Sequence, residues 1–202
     1  MNKDFTNAYL VFAADMGFFE STAKKYKKDA LKVKGGDFSS CTPSFHLLSS
    51  LAFELLPKVL IGYEVCLKYK DDNSISEEDI RKEISKEMKK YKHHLASLYK
   101  AFPDLMRYLS ISDISEFKND YVWEYRIKLE NNKEVLLKDV EAVRYGSFAK
   151  NRDIMTLCGY DEIIIDLLQN LEKYIETKYM ETNEVLKKSF GVRERSSDAS
   201  EE

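Results

Sequence analysis

The 202-residue chain has little of what interrupts a helix or builds a tight β-turn, with 7 glycines and 3 prolines in all. That scarcity weighs against a sandwich or barrel, whose many short strands need such residues every few positions. Three cysteines, Cys41, Cys66 and Cys158, form an odd, widely spaced set with no Cys-x-x-Cys. A disulfide framework and a zinc finger are thereby excluded, and a reducing cytoplasm is the expected setting. Positive charge is not in excess, since 32 Lys and Arg face 35 Asp and Glu for a net charge of -3. A protein that meets nucleic acid with its whole surface shows the opposite sign, so only a local basic patch remains. Asp15 breaks the apolar stretch from Tyr9 to Phe19 and Asp4 lies early, so no secretory leader is expected. No run is read as reaching the roughly 18 apolar residues that span a bilayer. A Gly-rich phosphate loop, a GxSxG and an HExxH are also missing, which weighs against an enzyme.

What remains is 44% hydrophobic and 33% charged residues rich in long-chain helix formers. The composition predicts an all-α fold, a single-domain helical bundle over residues 1–190. Residues 191–202, with Ser196, Ser197, Asp198 and Ser200 ahead of two glutamates, read as a disordered polar tail. Phe5, Tyr9, Phe12, Met16 and Phe19 recur at steps of three and four and predict a helix ending near Lys34, with the aromatic stripe facing the core. Lys24, Lys25, Lys27, Lys28, Lys32 and Lys34 crowd its end, where cations complement the helix dipole, and read as a solvated face.

From Phe45 to Leu67 the chain is apolar almost all round, which predicts a long central helix enclosed by others and kinked at Pro57. Glu54 and Lys58 are the conspicuous charges inside it, four apart with the acid first, and so share one face. Ser76 and Asp79 make a cap for a helix that begins with three acids; its period runs to Phe102 before Pro103, and a break near His93 fits equally well. Residues 117–145 read as helix, with a small hairpin turning at Asn131-Asn132 as the alternative, because Tyr121, Trp123, Tyr125, Ile127 and Leu129 also alternate as a strand does. Ile164, Leu168, Leu171 and Ile175 predict a long C-terminal helix from Asp161 to Phe190, stopped by Gly191.

His93 and His94 stand in a basic stretch after Lys89, Lys90 and Lys92 and are the candidate catalytic groups. Neighbours on a helix point about 100° apart, so the two cannot chelate one metal, and neither a metal nor another cofactor is expected. A histidine hydrogen-bonded at a helix junction explains the pair as well as a functional one does. Arg144, followed by Tyr145, could hold a phosphate, but an ion pair with Glu54 or Glu64 is the simpler reading.

The order of these features resembles the HEPN superfamily, the nucleotide-binding helical domains of toxin and defence systems. Phe53-Glu54-Leu55-Leu56-Pro57-Lys58-Val59-Leu60-Ile61-Gly62 is similar to that family's apolar helix with an embedded Glu and Lys. His93-His94-Leu95-Ala96-Ser97-Leu98-Tyr99 resembles its His-Asp-Leu segment, and Val143-Arg144-Tyr145 its Leu-Arg-Tyr segment, over roughly residues 45–180. Ribonucleases of the superfamily carry an Arg and a His four to six residues apart on one helix. Here eleven residues lie between Arg81 and His93, no histidine follows His94, and His94 replaces the family's acid. The resemblance implies Glu54, Lys58, His93, Arg144 and Tyr145 around one inter-helix groove, and a helix-mediated homodimer. The expectation is a non-catalytic HEPN-like domain that binds a nucleotide or RNA, or regulates a protein partner, in a toxin–antitoxin or defence setting. A degenerate metal-independent ribonuclease using His93 or His94 and a structural or adaptor protein are the alternatives.

Overall fold

The structure, a computed structural model, describes residues 5–34, 43–119, 122–138 and 161–191. Arg144, Tyr145, Cys41, Cys158 and the polar tail after Gly191 lie outside these residues. The described chain is mostly helical, with one small sheet.

Helix α1 (Asn7–Val11) starts where the Thr6 side chain accepts the Tyr9 N–H. It passes without a break through a π-helical stretch (Phe12–Met16) into α2 (Gly17–Lys34), and the Gly17 N–H reaches back five residues to the Phe12 carbonyl. Phe12 and Met16 of the aromatic stripe are buried, Phe12 stacking on Tyr179 with ring centres 5.0 Å apart. Phe5 is exposed and stacks on Tyr9 instead.

Helix α3 (Pro43–Lys68) is the axis of the fold, touching α2, α4, α5, the last helix and the third strand. By length and composition it could cross a membrane, with an 18-residue window of mean hydropathy 1.4, but 72% of that window is buried inside the protein. Here the reading that no run is long enough for a membrane span is corrected: α3 passes that test, and its apolar surface is used for packing. At Gly62 the π-helical stretch comes so close that a Cβ would fall 1.9 Å from the Met16 Sδ, so only glycine fits without displacing Met16.

Helix α4 (Glu77–Tyr91) is capped by Ser76, whose hydroxyl accepts the Asp79 N–H. It buries only Ile80 and Ile84 and ends at Tyr91. The helical period therefore breaks beside His93, and α5 (Leu95–Lys100) follows after a turn. Pro103 opens α6 (Pro103–Tyr108) at its first position, where its missing N–H has no intrahelical partner to lose.

Over residues 117–119 and 122–138 the helix reading is corrected in favour of its hairpin alternative, in an antiparallel meander of β1 (Ile111–Asn119), β2 (Val122–Leu129) and β3 (Glu134–Lys138), while residues 120–121 and 139–145 lie outside the described residues. Period two wins over the helical pattern because Tyr125, Ile127 and Leu129 are buried while Arg126 and Lys128 between them are exposed. β1 and β2 pair Glu116 with Tyr125 and Ile114 with Ile127, and β2 pairs Ile127 with Val135. The turn into β3 uses Asn131 and Asn132: Asn132 takes φ +62°, which asparagine tolerates, and the Asn131 side chain accepts the Lys133 N–H. Helix α7 (Asp161–Gly191) closes the core along α3, burying Ile164, Leu168, Leu171 and Ile175.

Pro57 sits inside α3 without ending it. A proline there leaves the carbonyl four residues earlier, that of Phe53, without its helical donor. The Tyr99 hydroxyl of α5 donates to that carbonyl at 3.2 Å, and Tyr99 is fully buried. One buried phenol thus satisfies the group that proline orphans. Tyr99→Phe is expected to lower the unfolding free energy in urea by about 1–2 kcal/mol. In a Pro57→Ala background, where residue 57 can itself donate to Phe53, the loss should shrink; an equal loss in both backgrounds would show that the phenol does not serve this carbonyl.

Candidate functional site

Glu54 and Lys58 lie one turn apart on α3, both buried, and the Lys58 ammonium donates to Glu54 Oε1 at 2.5 Å. A charge pair in such surroundings is tolerated only if its remaining hydrogen-bonding capacity is met. The turn between α4 and α5 meets it. The Lys92 carbonyl accepts a second Lys58 proton at 2.5 Å, and His93 Nδ1 stands 3.1 Å from both Glu54 oxygens. An ionised carboxylate only accepts, so a ring facing Glu54 donates from Nδ1, and in its neutral form such a ring keeps the lone pair on Nε2. The His93 side chain is 57% exposed, which leaves the ring accessible.

The turn itself is strained. The His94 N–H bonds the Tyr91 carbonyl at 2.8 Å, and Lys92 takes φ +43° and ψ -115°. Those angles are close to the first central position of a type II′ turn, where glycine is the usual residue. Tyr125 of β2 fixes the turn from the far side by donating to the His93 carbonyl at 2.5 Å. Contacts from α3 and from the sheet therefore hold one three-residue segment in a costly conformation.

Of the residues singled out in the sequence, Glu54, Lys58 and His93 come together here. His94 does not join them: its Nδ1 lies 3.1 Å from Glu116 of β1, whose other oxygen accepts the Ala96 N–H at the start of α5. The two rings diverge, as adjacent positions must, and both are more than half exposed. Among the described residues no group of three or more His, Cys, Asp or Glu is placed to hold a metal.

Beside the Glu54–Lys58–His93 cluster opens a cavity of about 700 Å³ between the π-helical stretch, the start of α2, α3 and α4. Its walls include Met16, Phe19, Leu55, Ile84 and Met88, and its charged lining is Lys58, Arg81, Lys89 and Lys92 against Asp15 alone. Arg81 binds Asp15 at 2.5 Å and Glu77 at 2.8 Å, whereas among the described residues the Lys89 and Lys92 side chains have no partner. Arg81, Ser85 and Lys89 repeat at helical spacing, so one flank of α4 is turned to the cavity, and Lys92 of the turn that follows joins them. Volume and lining suit a small ligand with a flat apolar part and an anionic end. Sequence reasoning singles out Lys89 and Lys92 but not Asp15, Arg81 or Tyr125, whose roles depend on contacts between distant segments. The Ser85–Lys89 spacing, on the side of α4 away from the buried Ile80, is a local signal that points to this wall.

No protein-family model, curated protein or solved structure matches this chain.

Lys92→Gly should relieve the positive-φ strain, worth about 1–3 kcal/mol, against an entropic cost of about 0.5–1 kcal/mol for the added glycine. The expected result is a higher urea midpoint with unchanged slope. A midpoint that stays or falls would show that the turn stores no strain.

Proposed function

We propose that the chain is a single-domain HEPN-like helical bundle that binds a phosphate-bearing ligand, a nucleotide or RNA, in the cavity beside His93, without catalysing its turnover. The observation that carries this reading is the meeting of His93, Lys58 and two unpartnered lysines, Lys89 and Lys92, at one side of an apolar cavity of about 700 Å³. Lys58 is committed to Glu54 and the Lys92 carbonyl, so its first role is to hold the turn. Lys89 and Lys92 are the groups left to meet a phosphate. Arg144 and Tyr145 enter this reading only through the family resemblance, which also adds a defence or toxin–antitoxin setting and a helix-mediated homodimer. Calorimetric titration with the four ribonucleoside monophosphates is expected to give saturable binding, weakened at least about tenfold by Lys89→Gln/Lys92→Gln, a loss of about 1.4 kcal/mol. No binding of nucleotide or RNA, or binding indifferent to both lysines, would overturn it.

A second reading is favoured by one feature, the Glu54 carboxylate on His93 Nδ1. A carboxylate that fixes an imidazole this way leaves Nε2 ready to take a proton, the arrangement of a general base. In a degenerate ribonuclease His93 would deprotonate the 2′-hydroxyl of RNA, whose oxygen would bond to the adjacent phosphorus as the bond to the 5′-oxygen breaks, that oxygen taking a proton from water and a 2′,3′-cyclic phosphate remaining. Cleavage of RNA in chelator-treated buffer should then fall about 10²–10⁴-fold in His93→Ala and persist in His94→Ala, both matching the parent by circular dichroism. Wild-type cleavage by His93→Ala, or none by the parent, excludes this reading.

A further inference from the structure

Phe18, at the start of α2, is 76% exposed although it is a large aromatic. It borders two depressions at once, the cavity beside His93 and a groove of about 1010 Å³ along α2, with Glu172 of α7 at its edge. The groove is lysine-rich, with Lys24, Lys25, Lys27, Lys28 and Lys32 against Asp29 and Glu172. Lys24 is tied to Glu20 and Glu176, Lys27 to Glu172 and Lys32 to Asp29. Lys25 and Lys28 are exposed and without a side-chain partner among the described residues. Phe18, Lys25, Lys28 and Lys32 follow one another at steps of seven, three and four, so they share one face of α2, about 21 Å long at the helical rise. Unpartnered lysines thus stand on both sides of an exposed ring, Lys89 and Lys92 on one and Lys25 and Lys28 on the other.

We propose that these two basins form one track for a single-stranded nucleic acid, one nucleotide seated in the cavity beside His93, the next base stacked on Phe18, and the following phosphates along Lys25 and Lys28. The proposal rests on the phosphate-ligand reading of the cavity and extends it from a nucleotide to a strand. Every base has a face that can stack, so an exposed aromatic between cations serves a strand without reading its sequence. An acidic protein segment would use the lysines equally but gains less from a lone ring beside a cavity of nucleotide size. Among the described residues Phe18 is not one of the hydrophobic side chains packed against the core, so packing does not account for a phenylalanine at this position.

The test is fluorescence anisotropy on the full chain with fluorescein-labelled oligouridylates from dinucleotide to dodecamer, beside competition by uridine 5′-monophosphate and by polyglutamate of matched length. Affinity should rise with length and then level off. Phe18→Ala and Lys25→Gln/Lys28→Gln should each weaken the dodecamer about tenfold or more, and the lysine pair, which lies outside the cavity, should leave competition by the monophosphate unchanged. The double lysine variant should also flatten the dependence of log affinity on log salt by about 1.4, two phosphate contacts' worth. Both changes are on exposed side chains, and unaltered thermal unfolding would confirm intact folding. Monophosphate binding with a flat length series, or a length series indifferent to these substitutions, overturns the strand proposal and leaves the cavity reading standing. Equal competition by polyglutamate also overturns it, in favour of an acidic protein partner. No binding of monophosphate or any oligomer overturns both.

Discussion

A carboxylate buried in an apolar helix imposes conditions on everything near it. Glu54 lies on α3, nearly closed to water, and taking an ion out of water costs several kcal/mol unless partners replace the hydration. Lys58 supplies the opposite charge but is itself buried, so the pair needs further donors and acceptors from outside the helix. Those come from the α4–α5 turn, through the Lys92 carbonyl and His93 Nδ1. Helix α4 therefore has to stop at Tyr91, and the chain has to bend there at the expense of a lysine with positive φ. The sheet is drawn in through the Tyr125 hydroxyl on His93. At its other end α4 is tied to the π-helical stretch by Arg81 and Asp15. Held at both ends, α4 forms one wall of a cavity that its own side chains do not fill.

Interactions that depend on sequence neighbours are legible in the amino-acid sequence itself. The three- and four-residue periods locate α2, α3, α4 and α7, and Ser76 with Asp79 marks the start of α4. Glu54 and Lys58 stand out because charges are rare in an all-apolar helix, and His93 because few groups titrate near neutrality. Contacts between distant segments are not legible in this way. Residues 117–129 carry helical and strand periods together, and the choice is made by β1 and β3, which give Tyr125, Ile127 and Leu129 a buried face. Nothing beside Pro57 reveals that Tyr99, more than forty positions on, supplies the donor the proline removes. The π-helical stretch also lacks a local signal; its neighbour Gly62 records it only as a close approach to Met16.

Net charge is a poor guide to this surface. The chain as a whole is at -3, yet the cavity wall carries Arg81 and Lys89 of α4 and Lys92 of the turn that follows, while the other flank of α4 lines a smaller groove with Glu83 and Glu87, joined there by Glu64 and Lys68 of α3. The helix as a whole mixes the signs, Lys90 pairing with Glu87 and Lys68 of α3 with Glu83, so the cations gather only at the cavity wall. In a concave site low-dielectric walls focus such potential towards an anion.

Lys92 connects that electrostatic layout to the strain in the turn. Glycine would suit its backbone angles better, and its side chain makes no partner among the described residues that would repay the difference. A positive-φ position occupied by a lysine instead of glycine is a cost in folding free energy without a visible return inside the protein. The return is intelligible if the ammonium acts on something outside it, since the side chain lines the cavity beside His93. Strain of this kind accumulates where function opposes stability. The residue that holds the carbonyl for Lys58 is also the one whose ammonium lines the cavity, so under the ligand-binding proposal folding and binding compete at a single position.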